Sequence, residues 1–277
     1  MTTIHKNALA EKIEQAEECL RACRLCPRDC DVDRLAGETG YCGLTGAAHC
    51  FREVLHYGEE SVLNPSHQIY FTGCNLRCEW CAVSEYNLAL VGAFPELDVA
   101  AMRECILKRL AEGARTVNFL GGEPTVSVLG ILKIIAELPP EAKIVWNSNM
   151  YFSQPAADLL DGAVDLYLAD FKCGNDACAK ALLDADDYLA VVRENLVFAQ
   201  STAELIIRHL VLPGHESCCL RPILEWIAGT LPEAKVSLRR DYMPPARARA
   251  APSRLLTDED YRAAVDMALS LGLNLIE

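Results

Sequence analysis

Three cysteines, Cys74, Cys78 and Cys81, stand at C-x3-C-x2-C spacing in the segment Thr72-Gly73-Cys74-Asn75-Leu76-Arg77-Cys78-Glu79-Trp80-Cys81. Thiolates this close on one loop can converge on a single metal centre, and soft sulfur donors favour zinc or iron–sulfur. A structural zinc site closes four positions, and an ordinary 4Fe–4S cluster takes four cysteines. Three cysteines would leave one iron open to a substrate or cofactor. The competing readings are a zinc site with an outside fourth ligand and a chance cysteine cluster.

A second group, Cys23-x2-Cys26-x3-Cys30-x11-Cys42, precedes the first. Cys19, Cys23, Cys26 and Cys30 also fit one helical face, but Pro27 breaks that helix. Four thiolates around Pro27 and a Gly37–Gly46 loop can instead wrap a metal. Zinc would staple a weak segment, whereas a second 4Fe–4S cluster would relay electrons. A zinc ribbon shows two C-x2-C pairs and only one is present, which tilts the reading to a cluster. Cys105, Cys173 and Cys178 have no partner legible in the sequence and read as ordinary thiols. Cys218 and Cys219 follow His215 and open an expected helix. Adjacent cysteines rarely face one ligand, so a substrate-side role for Cys218 is the weaker alternative.

Polar residues recur at the ends of apolar runs. Gly121-Gly122-Glu123-Pro124 follows Thr116–Leu120. Glycines there would let backbone approach a ligand, and a carboxylate accepts hydrogen bonds from an ammonium. Asn147, Ser148 and Asn149 end the next run, suited to a ribose or carboxylate and equally to a turn. Asp170-Phe171-Lys172 ends another, and His209 lies inside a further run, either reaching a cofactor or satisfied in the core.

The elements that must position these groups alternate. Residues 7–22 read as an amphipathic helix with Ala8, Ile13, Ala16 and Leu20 near one face. Strands are expected at 68–72, 116–120, 144–148, 165–170, 205–212 and 235–238. Helical periods lie near 98–113, 126–137, 155–162, 187–200, 219–230 and 258–271. Six β-then-α units with short turns imply an α/β fold of parallel strands and crossover helices, a full or partial barrel. Chemistry in such folds sits at the C-terminal ends of strands, where the motifs fall. The expected division is an N-terminal helix and Cys-rich extension at 1–66 and a barrel at 67–277.

The three-cysteine loop, with Gly121-Gly122-Glu123 one strand later, resembles the signature of the radical S-adenosylmethionine (radical SAM) superfamily, across most of 67–277. That resemblance implies a partial (β/α)6 barrel with a 4Fe–4S cluster on Cys74, Cys78 and Cys81, whose open iron binds SAM. It implies reductive cleavage of SAM to methionine and a 5′-deoxyadenosyl radical, with a flavodoxin- or ferredoxin-type reductant. Glu123, with Gly121 and Gly122, would hold the methionine amino group. Asp170 and Lys172 resemble the D-x-K segment of glycyl-radical-enzyme activating enzymes, where Lys172 would face the SAM carboxylate; a surface salt bridge is the plainer alternative. Cys23 to Cys42, with Arg28, Arg34, Gly37 and Gly40, and later Tyr242 and Pro244, resemble an uncharacterised branch similar to pyruvate formate-lyase activating enzyme. Glycyl-radical-enzyme activating enzymes usually carry Asn two residues after the last cluster cysteine; here the stretch is Ala82-Val83-Ser84, a departure from their pattern.

The 277 residues are 51% apolar and 23% charged, enough for a core, with a net charge of −13. That balance disfavours a nucleic-acid partner, which needs a dense positive face. The charged first 20 residues hold no apolar signal core, and no run suits a spanning helix. Fourteen cysteines without an export signal point to the cytoplasm and to metal ligation rather than disulfides. The leading expectation is radical modification of a protein or peptide, as in glycyl-radical activation. The alternatives are a small-metabolite substrate and a zinc-binding scaffold without catalysis.

Overall fold

The computed structural model describes residues 6–277; the first five, part of the stretch read for a signal core, lie outside the described residues. The chain runs through α1 (Lys6–Arg21), β1 (Cys50–His56), β2 (Ser66–Phe71), α2 (Ser84–Asn87), α3 (Val99–Ala111) and β3 (Thr116–Gly121). It continues with α4 (Val128–Glu137), β4 (Ile144–Ser148), α5 (Gln154–Leu160), β5 (Leu166–Asp170), α6 (Asp176–Leu183) and α7 (Tyr188–Thr202). The last elements are β6 (Glu204–Leu210), α8 (Arg221–Thr230), β7 (Lys235–Arg239), α9 (Asp258–Ser270) and β8 (Asn274–Leu275).

The eight strands lie in sequence order in one sheet. β2–β3, β3–β4, β6–β7 and β7–β8 pair in parallel, and β1 adds an antiparallel edge to β2. β4 and β5 read as near-continuous apolar runs because parallel strands are covered on both faces, whereas β2, β3, β6 and β7 carry polar residues among the apolar ones, such as Gln68, Asn118, His209 and Ser237. In β5, Leu166, Tyr167, Leu168 and Ala169 are all fully buried. All six expected strands are present within two residues of their bounds, so the α/β fold with parallel strands stands. β1, α2, α6 and β8 are additions. β1 escapes the sequence pattern because it is a half-exposed edge strand carrying Arg52 and Glu53.

Two compact units emerge. The first comprises 1–75 and 83–167, the second 76–82 and 168–277; β5 begins in one and ends in the other. In the first, α1 packs on α4 and α5. α4 turns Val128, Leu129, Ile131, Leu132 and Ile134 inward, and Lys133 meets Glu17 at 3.0 Å. In the second, α9 starts at a reciprocal cap, Thr257 and Asp260 each bonding the other's backbone N–H.

Candidate functional site

In the first unit, the start of the three-cysteine loop is fused to the end of β3. Gly122 N–H donates to the Phe71 carbonyl at 2.8 Å, and Glu123 N–H to that of Gly73 at 3.0 Å. A Cβ on Gly121, at φ +125°, would fall 2.3 Å from Phe71 N and O; one on Gly122 would fall 1.9 Å from Gly73 O. The two glycines therefore admit the backbone of the cysteine loop itself, where the sequence suggested an approach to a ligand. Glu123 is 1% exposed. Its Oε1 accepts from Thr125 N, Thr125 Oγ1 and Ser148 Oγ, and its Oε2 accepts from Asn149 N at 2.9 Å. Burial pushes its pKa up against those donors.

Glu123 thus fixes the end of β4. Asn149 Nδ2 reaches Cys74 Sγ at 3.8 Å and Asn75 Oδ1 at 2.8 Å. Of the three residues ending β4, Ser148 and Asn149 are engaged in this network, while Asn147 is half-buried at its margin. Thr72 Oγ1, both amide atoms of Asn118 on β3 and Ser127 Oγ are buried without a hydrogen-bond partner. Buried polar atoms are ordinarily satisfied, so these suit a polar ligand. Asn118 hides in the apolar run of β3, which is why the sequence did not mark it.

In the second unit, Cys78 and Cys81 share a turn closed by Cys81 N–H to Cys78 O, at 3.1 Å. Arg77 and Glu79 backbone N–H groups bond Leu183 and Leu182 carbonyls, and Glu79 Oε2 accepts from Arg249, Ala250 and Ala251 N. Burial pushes the Cys78 thiol up to about 11, against the pull of the Lys172 cation. Lys172 Nζ lies 2.6 Å from Asp170 Oδ2 in a largely buried pair rather than an exposed one. His209 is buried, with Nδ1 2.7 Å from the Phe171 carbonyl. A carbonyl only accepts, so Nδ1 carries the proton; burial lowers the ring's pKa and keeps Nε2 a lone pair.

Cys23, Cys26, Cys30 and Cys42 fold together in the first unit. Cys23 N–H and O bond Val32 O and Asp31 N. Burial pushes Cys26 up to about 12, with Cys42 and Cys23 adding to the rise; Cys42 is raised too, with Cys23 and Cys30 contributing. A Cβ on Gly40 would lie 2.7 Å from Cys30 Sγ. Arg34, 2% exposed, donates to Leu44, Thr45 and Val126 carbonyls and meets Cys23 Sγ at 3.9 Å. A buried guanidinium whose partners are carbonyls and a thiol suits an anionic thiolate–metal centre. Asn75 also bonds Cys26, placing Cys26, Asn75, Asn149 and Cys74 in one chain of contacts.

The reading of Cys173 and Cys178 as thiols without partners fails in the second unit, and so does the expectation that Cys218 and Cys219 face apart; Cys173 bonds Cys219. Cys178 does have partners: it converges with His215, Cys218 and Cys219, all four ligand atoms within 4.8 Å of one another. The adjacent cysteines do face one point, because residues 216–220 form a π-turn rather than an α-turn. A second cluster of Glu53, His67 and Cys105 is an ion-pair network, since Arg109 occupies both Glu53 oxygens and His67 bonds Oε2. No described helix is long and apolar enough to cross a membrane.

The fold and the loop after β2 define a class. The profile of the Radical SAM superfamily matches residues 69–227, more than half of the chain, and the chain belongs to that superfamily. It is 35% identical over 285 residues to the uncharacterized protein MJ0674 of Methanocaldococcus jannaschii, covering 99% of this chain and 82% of that one. A radical SAM methyltransferase from Sphaerobacter thermophilus matches with a TM-score of 0.52 at 15% identity, over 98% of this chain and 91% of that chain. Streptococcus suis SuiB bound to its precursor peptide SuiA matches with a TM-score of 0.53 at 12% identity, over 73% and 46%. The chain spans about half the length of SuiB. At these identities the structures share the fold, a partial radical SAM barrel. Membership makes this a radical SAM enzyme and implies a 4Fe–4S cluster and SAM.

Proposed function

We propose that Cys74, Cys78 and Cys81 hold three irons of a 4Fe–4S cluster, and that the enzyme abstracts hydrogen from a protein or peptide substrate. The observation that supports the cluster assignment is the bonding of Gly122 and Glu123 N–H to the Phe71 and Gly73 carbonyls, which joins the Gly121-Gly122-Glu123 segment to the start of the cysteine loop. A 4Fe–4S cluster held by Cys74, Cys78 and Cys81 would supply the one-electron reduction that cleaves SAM to methionine and a hydrogen-abstracting 5′-deoxyadenosyl radical. Glu123 Oε2 accepts one bond in the protein and has acceptor capacity left for an ammonium. Asn149 supports Cys74 by an N–H to its sulfur, and Ser148 holds Glu123 in place. Lys172, near enough to Cys78 to lower its pKa, would meet the SAM carboxylate, with Asp170 fixing its position. His209 presents neutral Nε2 as a further acceptor. Thr72, Asn118 and Ser127 add unsatisfied polar atoms for the rest of SAM.

A peptide substrate is supported by the fold shared with SuiB, whose structure holds its precursor peptide. The Cys23–Cys42 group would take a second 4Fe–4S cluster or zinc, and a flavodoxin- or ferredoxin-type protein would deliver electrons. The test is anaerobic reconstitution of wild type and the Cys74→Ala/Cys78→Ala/Cys81→Ala variant. We expect about four irons to be lost in the variant, with a SAM-shifted paramagnetic resonance signal and 5′-deoxyadenosine formation in wild type alone. Size-fractionated extract of the source cell then separates substrates. Stimulation of 5′-deoxyadenosine release by the macromolecular fraction supports a protein substrate, and stimulation by the small-molecule fraction alone replaces it with a metabolite.

A further inference from the structure

We propose that Cys178, His215, Cys218 and Cys219 form a zinc site in the second unit, distinct from both cysteine groups marked by the sequence. Cys178 Sγ lies 3.9 Å from Cys218 Sγ and 3.8 Å from His215 Nδ1. Cys218 Sγ lies 3.3 Å from His215 Nδ1 and 4.0 Å from Cys219 Sγ, which lies 3.7 Å from His215 Nδ1. Zinc with Zn–S of about 2.3 Å and Zn–N of about 2.0 Å in tetrahedral array requires sulfur–sulfur separations of ~3.8 Å and sulfur–nitrogen separations of ~3.5 Å. The sulfur–nitrogen separations of 3.3, 3.7 and 3.8 Å bracket the second value, and the sulfur–sulfur separations of 3.9 and 4.0 Å lie just above the first. They are far beyond the roughly 2.05 Å of a disulfide. One point shared by four donors also excludes a 4Fe–4S cluster, whose thiolates sit on separate irons. Without a metal these contacts are hydrogen bonds among three thiols and the imidazole. A cation at the centre would replace the thiol protons, and three sulfurs with one imidazole nitrogen suit zinc.

The surroundings are built for it. Asn175 caps α6, its Oδ1 accepting from Cys178 N–H at 2.7 Å. Its Nδ2 lies 3.1 Å from Cys178 Sγ and donates to the Cys218 carbonyl at 2.7 Å. This one amide orients ligands from both segments, as outer partners of metal ligands do. The π-turn, with Leu220 N–H reaching the His215 carbonyl at 3.1 Å, widens the turn so that consecutive cysteines converge; such turns concentrate at functional sites. Gly174 passes so close that a Cβ would lie 2.4 Å from the Cys219 carbonyl. Cys173 bonds Cys219. Four protein ligands close the shell, so the site is structural. It ties α6, through Cys178, to the turn that leads into α8. Binding balances as one zinc(II) taken up and three thiol protons released to solvent.

The test is independent of SAM chemistry. Full-length protein is purified anaerobically and its zinc measured in wild type, Cys178→Ser, Cys218→Ser, His215→Cys and the Cys74/Cys78/Cys81 triple variant. One zinc equivalent per chain is expected to persist in the triple variant and to be lost in Cys178→Ser and Cys218→Ser. Should those two be insoluble, His215→Cys keeps four donors: cobalt(II) loaded into this variant should give a spectrum shifted from that of wild type toward all-sulfur ligation. Zinc content unchanged in Cys178→Ser and Cys218→Ser, or a cobalt spectrum unchanged in His215→Cys, would overturn the assignment.

Discussion

Gly122 sits where a single added methyl would meet the Gly73 carbonyl oxygen at 1.9 Å and Asn87 Oδ1 at 2.3 Å. Backbone cannot give way as a flexible side chain does, so Gly122→Ala should cost about 3 kcal/mol, at the top of the usual range for overpacking. The apo protein's urea midpoint should fall accordingly, and reconstituted iron should drop, because the same contact sets the cysteine loop; an unchanged midpoint would refute the close approach. His209 offers a pH test at the same scale. Its folded pKa is lowered, chiefly by burial, with Asp170, Lys172 and Cys219 nearby. The unfolded chain therefore binds the extra proton first. Its contribution to stability is complete above about pH 6.5 and is lost as pH falls toward the lower folded value. Melting temperatures from pH 7.5 to 5.5 should drop less in His209→Gln than in wild type. His67, lowered in the same direction by burial, remains as a shared background in both proteins.

Short elements carry the parts of the fold that the sequence hid. The six strands were legible because short, mostly apolar runs, continuous in β4 and β5, stand between turn residues and helical periods. α6 was not, since eight residues, Asp176–Leu183, give barely two turns of period and sit between stronger signals. Nor was the Cys178 cluster: its partners lie 37 and 40 residues away, and the π-turn at 216–220 defeats an argument framed on α-helical spacing. The sequence carried a trace of it, His-x2-Cys-Cys after one strand and a Cys-bearing helix start after another. The Gly121-Gly122 pair was found by its position but for a different physical reason, the approach of protein backbone. At this scale the 3-10 turn Arg34–Ala36, capped by Asp33 and Gly37, sets a buried guanidinium against three carbonyl groups and Cys23. Lysine lacks that planar fork. Arg34→Lys should therefore lose at least two charge-assisted bonds, about 3 kcal/mol by urea unfolding, and should release metal from the N-terminal cysteines more readily to a chelator. Wild-type stability with wild-type retention would show the guanidinium to be dispensable.

Across the first unit as a whole, the Cys23–Cys42 group and Cys74, the first cysteine of the three-cysteine loop, are joined by a chain of contacts. Gly73, at the head of the three-cysteine loop, would strike Leu44 with a Cβ at 2.7 Å and the Cys42 carbonyl at 3.1 Å. Arg28, stacked 3.7 Å over Tyr41, donates to the Asn75 carbonyl. Asn75 itself bonds Cys26 on one side and Asn149 on the other, and Asn149 continues to Cys74. Hydrogen bonds to a cluster's sulfur ligands stabilise its more negative, reduced state, and so raise its potential. Asn75→Leu removes the donor to Cys26 and unseats Asn149 from Cys74 while keeping side-chain volume. Each lost bond of ~1 kcal/mol corresponds to roughly 40 mV for one electron. Spectropotentiometry of wild type and Asn75→Leu then decides what Cys23, Cys26, Cys30 and Cys42 hold. Two paramagnetic signals that both move to lower potential would establish a second cluster in contact with the first, an electron path through two amides. One signal moving, with a zinc equivalent that Cys26→Ser removes, would make the N-terminal group a structural clamp. No movement of either signal would break the proposed chain from Cys26 to Cys74.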